Sequence, residues 1–354
     1  MLSLPPEEVL NAYGLNPAEI SISVLGNGLI NHTWKLTSSD NSWVLQKINE
    51  AVFGNPDAIA HNIEKIGAFL EKEFPSYLFT KPIKSITGTQ MVRYKNACFR
   101  LFHFIPESVT VNVVSNPEQA YEAARQFGLF TASLHNFDIS GLETTLADFH
   151  NLELRYRQFQ ESLVNGIRER ITANQDYIEF LKEHQYVVEQ YKDICNDHNF
   201  KLRVTHHDTK ISNVLFNKSG KGYCVIDLDT VMPGYFISDT GDMFRTYLSP
   251  VNEEETNFVL VEVREEIYKA IVDGYCSAMQ PYLSEIEYKS FYFAGLMMIY
   301  MQALRFMTDY LNGDKYYAIT YPEQNLNRTK NQLALMERYL EKKEQLAHYL
   351  PNLL

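Results

Sequence analysis

Cysteine is scarce and unpatterned. Its four copies, Cys98, Cys195, Cys224 and Cys276, never form a Cys-x-x-Cys pair. They read as reduced, mostly buried thiols of a cytoplasmic protein. Neither His135 nor His150 stands at a metal-ligand spacing from any of them. Excess positive charge is also missing. With 32 Lys and Arg against 44 Asp and Glu, the net charge is −12, which excludes a broad nucleic-acid footprint. The acidity leans towards a neutral or cationic small partner. No apolar run is long enough to cross a bilayer; the strongest, from Phe291 to Met301, reads as a buried helix, so no membrane partner is expected. The stretch from Met1 to Glu8 lacks the basic region and apolar core of a signal peptide. No internal repeat or low-complexity linker interrupts the chain.

What is present is an ordinary globular composition, 45% hydrophobic and 21% charged over 354 residues, a length that suits two lobes. The most informative stretch runs Thr205-His206-His207-Asp208-Thr209-Lys210-Ile211-Ser212-Asn213. It fits His-x-Asp followed by Asn five residues later, the spacing of a kinase catalytic loop. There an aspartate can take the proton of an attacking hydroxyl, and the asparagine can turn to a metal ion. Val214-Leu215-Phe216, a turn at Asn217 to Gly222, and Tyr223-Cys224-Val225-Ile226 then predict a β-hairpin. It ends on Asp227, where a carboxylate can hold Mg²⁺ against ATP phosphates. A lone Asp on a loop is usually a cap or turn residue; the amide at fixed offset, the hairpin and the second carboxylate argue otherwise. The arrangement resembles the aminoglycoside phosphotransferase and choline kinase superfamily. That resemblance implies an α+β, two-lobed protein-kinase-like fold with a small antiparallel-sheet N-lobe (1–105) and a larger, mostly helical C-lobe (106–354). The Phe-Gly that follows the metal aspartate of protein kinases is absent; Leu228-Asp229 stands there.

In chain order, strands are expected over 20–25, 33–36 and 43–48, with Gly26 and Gly28 in the first turn. Glycines there let backbone N–H groups lie over phosphates. His32, at the loop exit, faces the substrate or is an exposed loop histidine; both readings stand. Lys47 is the candidate for neutralising the α- and β-phosphates, or it is a solvent-facing strand lysine. Apolar residues at helical spacing predict a helix over 56–73, carrying Glu64 as the candidate partner of Lys47. Further strand signals cover Pro82-Ile83, 90–92 and 97–105. Phe102, His103 and Phe104 fall where one lobe passes into the other and are adenine-site candidates, the backbone more firmly than any side chain. Helices are expected over much of 116–199, one of them running unbroken from Phe149 to Arg170. Asp227, Asp229, Asp239 and Asp242 fall within sixteen residues, a clustering that a metal ion and Arg245 would offset. Asp242 is the candidate brace for the catalytic loop. Arg305, on an apolar helix, needs a partner; it pairs with Asp309 or points into an acceptor site as a rigid fork of donors.

Several strings narrow the resemblance: Gly28 to Thr33, Val44 to Asn49, Thr205 to Lys210, Val225 to Gly234, and Leu304-Arg305-Phe306 with Asn312-Gly313-Asp314. Together they are similar to N-acetylhexosamine 1-kinases over most of the chain. That family passes the ATP γ-phosphate to the anomeric hydroxyl of N-acetylglucosamine or N-acetylgalactosamine. The resemblance implies ATP and Mg²⁺, with Asp208 as catalytic base and Asn213 and Asp227 on the metal. Gly26, Gly28, Lys47 and Lys210 would serve the phosphates, and His32, Asp229, Arg305 and Tyr316 the sugar; Asp229 is open between metal and sugar. A monomer or weak homodimer is expected.

Overall fold

The computed structural model describes residues 4–26 and 31–349. Five strands form one antiparallel sheet: β1 Ser21–Val24, β2 His32–Thr37, β3 Ser42–Lys47, β4 Val92–Tyr94 and β5 Ala97–His103, in the order β1-β2-β3-β5-β4. Pro82-Ile83, expected as a strand, makes only an isolated bridge from Ile83 to Leu101. The helices are α1 Glu7–Ala12, α2 Pro56–Glu73, α3 Pro117–Ser133, α4 Leu152–Asn165, α5 Arg168–Ala173, α6 Gln175–Glu183, α7 Tyr186–Asn196, α8 Phe236–Tyr247, α9 Glu265–Met279, α10 Glu285–Tyr288, α11 Phe291–Leu311, α12 Gln324–Glu341 and α13 Lys343–Ala347. Two short hairpin-like pairs lie among them: β6 Arg203–Thr205 with β9 Met232–Gly234, and β7 Val214–Phe216 with β8 Gly222–Val225. The result is a two-lobed α+β, protein-kinase-like fold.

The sheet has two unlike faces because side chains alternate along each strand. Trp34, Leu36, Leu45, Phe99 and Leu101 bury one face against Val9, Leu10 and Tyr13 from the α1 region. The other face, carrying Gln46, Arg100 and Phe102, looks towards the helical lobe. The helix α2 starts where Asn55 Oδ1 accepts from the Ala58 N–H and Pro56 opens the first turn, a pairing that satisfies free helix-end donors. Its apolar stripe, Ile59, Ile63, Ile66 and Leu70, belongs to the core of the larger lobe. Buried Asn62 fixes its roll by donating to the carbonyls of Glu143 (2.8 Å) and Val231 (3.0 Å).

In the helical lobe, α3 and α9 cross at backbone contact: a Cβ on Gly128 would lie 2.7 Å from the Tyr275 carbonyl oxygen. The helix α11 is apolar nearly all round and is buried among α4, α8 and α12, as a helix without a polar face must be. One helix expected through Phe149 to Arg170 is instead two, α4 and α5, broken at Gly166, which has no room for a Cβ beside the Leu311 backbone. Among the described residues, no helix is long and apolar enough to cross a membrane.

Candidate active site

Strand β6 delivers the catalytic loop and is anchored at its start. Arg203 forks onto Glu287 through two contacts of 2.5 and 2.9 Å, with both side chains buried. The loop that follows is fastened from behind by two carboxylates at the start of α8. Asp239 accepts from the backbone N–H of His206 (3.0 Å) and of His207 (2.7 Å). Asp242 accepts from the Thr209 N–H (2.8 Å) and is itself held by Arg245. Bracing is therefore shared: Asp242 carries one backbone bond of the loop, and Asp239, which the sequence placed in the carboxylate cluster without a bracing role, carries two. His206 and His207 are buried and neutral in character, since burial pushes both imidazoles down, His207 to about 4. His207 adopts φ 65°, which turns the chain so that Asp208 points out of the loop.

Asp208 lies 2.8 Å from Lys210 Nζ, and both are partly exposed. Burial pushes the Asp208 carboxyl up, but Lys210, His206 and Asn213 together outweigh it and hold it below the usual carboxylate range. Asp208 in turn holds the Lys210 ammonium well above its usual value. Asn213 Nδ2 donates to the Asp208 carbonyl at 2.9 Å, so the amide oxygen is the atom left for a cation. The β7–β8 hairpin brings Asp227 alongside in a left-handed conformation, φ 63°. Burial and then Asp229 push its carboxyl up to about 7, against the pull of Lys210 and Arg100. A crowded carboxylate with an amide oxygen nearby is an all-oxygen donor set. It fits Mg²⁺, which takes one or two protein oxygens and fills its octahedron with phosphate and water. Among the described residues no cluster of three or more His, Cys, Asp or Glu forms a complete metal cage.

On the sheet, several candidates fall on the wrong face. Lys47 pairs across the strands with His32 and with Phe99. Directly opposed residues share a face, so Lys47 and His32 lie on the α1 side, away from Asp208. The cleft-facing residue of that string is Gln46, one position earlier; a shift of one residue reverses a strand's faces. Glu64 does not meet Lys47 either. It pairs with Lys84 at 3.2 Å, with both side chains more than half exposed. His103 is exposed opposite Trp43, so its side chain is not an adenine contact, whereas Phe102 shares the cleft face with Val44. The Phe104 ring carries the Lys35 ammonium 3.8 Å from its centroid. Gly26 has φ +71° with open space around a would-be Cβ, which reserves the position for glycine. Gly28 lies outside the described residues.

Asp229 is buried and faces the N-lobe. One oxygen is 2.5 Å from Arg100 Nη1 and the other accepts from Asn31 Nδ2 at 2.7 Å. It is therefore not positioned as a sugar contact. Arg100, a buried cation between Phe99 and Leu101, had no place among the sequence candidates; a charged residue at the centre of an apolar strand is itself the signal that could have found it.

At the far end, Arg305 sits among aromatic rings, 5.5 Å from Phe149, 5.7 Å from Tyr316 and 5.4 Å from Tyr317. Its Nη1 donates to Gln302 at 3.2 Å. Asp309 is not its partner: that carboxylate takes the backbone N–H groups of Lys315, Tyr316 and Tyr317. Tyr316 is 64% exposed, and its hydroxyl is 3.5 Å from Arg305 Nη2. This cluster adjoins the catalytic loop, because Phe149 stacks on His150 and His150 lies 5.4 Å from His207.

A kinase-type loop, a carboxylate–amide pair and a sheet-roofed cleft define a protein-kinase-like phosphotransferase. A model of the APH phosphotransferase enzyme family matches residues 21–283, and the chain belongs to that family. It is thus a phosphotransferase enzyme. It is similar in fold to an aminoglycoside phosphotransferase from Alicyclobacillus acidocaldarius (13% identity over 99% of this chain and 98% of that one, TM-score 0.64). It is likewise similar to a microcompartment-associated aminopropanol kinase (14%, 97% and 98%, TM-score 0.61). A spectinomycin phosphotransferase, in complex with ADP and spectinomycin, is also similar (14%, 96% and 92%, TM-score 0.55).

Proposed function

We propose that the protein transfers the γ-phosphoryl group of ATP to the anomeric hydroxyl of an N-acetylhexosamine, N-acetylglucosamine or N-acetylgalactosamine, giving the sugar 1-phosphate and ADP. The new bond joins the anomeric oxygen to phosphorus while the bond to the β–γ bridging oxygen breaks. Asp208, kept ionised by Lys210, accepts a hydrogen bond from the sugar 1-hydroxyl and takes its proton late. The transition state is loose, so orientation matters more than nucleophile activation. Lys210 faces the group in transit. Mg²⁺, held by Asn213 and Asp227, would neutralise charge on the β- and γ-phosphates. Residues 1–105 act as the nucleotide lobe and 106–354 as the acceptor lobe. Nucleotide use is supported by the ADP found with the spectinomycin phosphotransferase.

The observation that carries the acceptor class is the Arg305 cluster. Its guanidinium has no carboxylate partner among the described residues and is ringed by Phe149, Tyr316 and Tyr317. A planar fork of donors suits hydroxyl and amide oxygens, and aromatic faces suit the apolar face of a pyranose. Arg155 lies close enough to act on His150 together with Arg305, while Arg245 is neutralised by Asp242 and Glu253. A cationic acceptor such as choline or an aminoglycoside would meet this field unfavourably. Homoserine and methylthioribose are the less charged rivals.

The test is ADP release with ATP, Mg²⁺ and a panel of these acceptors. Turnover with N-acetylhexosamines well above that with choline, homoserine, methylthioribose and aminoglycosides is expected. Preference for any of the others would overturn the assignment.

A further inference from the structure

The cleft face of the sheet presents an unusual charge arrangement. Gln46, not Lys47, is the β3 residue that looks into the cleft, so β3 itself brings no cation there. The neighbouring strand does. Arg100, opposite Gln46 on β5, is 1% exposed. Gln46 Oε1 accepts its Nε–H at 3.0 Å, and the Phe102 ring lies 5.2 Å from its guanidinium carbon. These contacts hold the stem while Nη1 points across the cleft to Asp229.

That contact is poorly made. Nη1 and Asp229 Oδ1 stand 2.5 Å apart, yet each lacks a hydrogen bond of acceptable geometry. A buried guanidinium normally satisfies its donors in a bidentate fork. Here a donor more than nine-tenths buried meets Asp229 without a formed hydrogen bond, near enough to Asp227 to pull on that carboxyl as well. Two other cations share the face. Lys35 rests on Phe104, and Arg93 is tied to Asp57 at 2.8 Å on the edge strand.

We infer that Arg100 is the phosphate-binding cation of the N-lobe. When nucleotide enters, its Nη atoms leave Asp229 for non-bridging oxygens of the α- and β-phosphates, and Gln46 keeps Nε in place as a positioning residue. Asp229 keeps its bond to Asn31, whose own Oδ1 accepts the Asn49 N–H at 2.9 Å. Arg100 thus has two anionic partners in turn: Asp229, and phosphate once nucleotide binds. The ligand class is a nucleoside di- or triphosphate, and the inference rests on the kinase reading above.

The experiment compares Kd values for ADP with Mg²⁺ and for adenosine, by calorimetry on the full chain. Adenosine has the base and ribose but no phosphate. Arg100→Met is expected to weaken ADP at least tenfold and adenosine less than twofold, and Lys47→Met to change neither. Should Arg100→Met fail to fold, the double variant Arg100→Met/Asp229→Asn leaves no unpaired buried charge and must show the same selective loss. ADP binding unchanged, parallel loss of both ligands, or the selective loss appearing in Lys47→Met would each overturn the inference. Wild-type protein that binds no ADP would sink the kinase reading itself, a result distinct from normal ADP binding that ignores Arg100.

Discussion

Replacing Asp239 by asparagine tests whether the catalytic loop is held from behind. At pH 8, above the value of about 7 to which burial pushes this carboxyl, it is ionised. Each of its oxygens then accepts one buried backbone N–H, from His206 and His207. An asparagine keeps one acceptor and turns an NH₂ group on the second donor. Stranding that N–H costs about 1–3 kcal/mol, and the surviving bond falls from a charge-assisted to a neutral one, roughly 1 kcal/mol more. Against that loss stands the desolvation that raises the carboxyl to about 7: holding it ionised at pH 8 costs the fold about 4 kcal/mol that a neutral amide does not, so unfolding free energy is expected to change by less than about 2 kcal/mol. Asp208 is the next residue in the chain. A displacement of about 1 Å at a reacting group costs on the order of a hundredfold in rate, so kcat should fall by that order. The KM for ATP should change little, since no nucleotide group is assigned to Asp239. Urea denaturation and steady-state kinetics at pH 8 read both effects. A kcat close to wild type would refute the bracing argument.

Other expected outcomes follow from the same geometry. Asp208→Asn should abolish turnover while ADP still binds in calorimetry; near-normal turnover would remove Asp208 from the chemistry. Arg305→Met should raise the acceptor KM at least tenfold and leave the ATP KM within twofold, whereas an equal rise in both would argue for general damage. His207 is kept neutral, its imidazole lowered to about 4 by burial against roughly 6.5 in the unfolded chain. Its contribution is therefore fully present above pH 6.5 and is lost as pH falls towards 4. The stability difference between wild type and His207→Asn, by urea denaturation, should shift by roughly 3 kcal/mol over that window; a pH-independent difference would contradict it.

The catalytic loop could be read from sequence because its chemistry is local. Asp208, Asn213 and Asp227 lie within twenty residues, and the spacing together with the hairpin after it constrains all three. The helix α2 was equally legible, with Asn55 and Pro56 at one end and an apolar stripe along its length. The N-lobe cation was not. Gln46 and Lys47 are adjacent and both polar, and only the strand register decides which looks into the cleft. The parity was nevertheless present in the string: Lys47 continues Trp43 and Leu45, which pack towards α1, while Gln46 continues Val44. Glu64 depends on the roll of α2, which Asn62 sets through contacts 81 and 169 residues away in sequence. Nothing local encodes that. Arg305 was left between two partners because the loop that claims Asp309 lies beyond the helix end.

The central claim is transfer of a phosphoryl group to the anomeric oxygen of an amino sugar. The most direct measurement is ³¹P NMR of the products formed from ATP, Mg²⁺ and a mixture of hexoses and N-acetylhexosamines. A sugar 1-phosphate resonance, coupled to the anomeric proton of an N-acetylhexosamine and growing with ADP, is the predicted result. Phosphate on any other hydroxyl, or ATP consumed to inorganic phosphate alone, would contradict it.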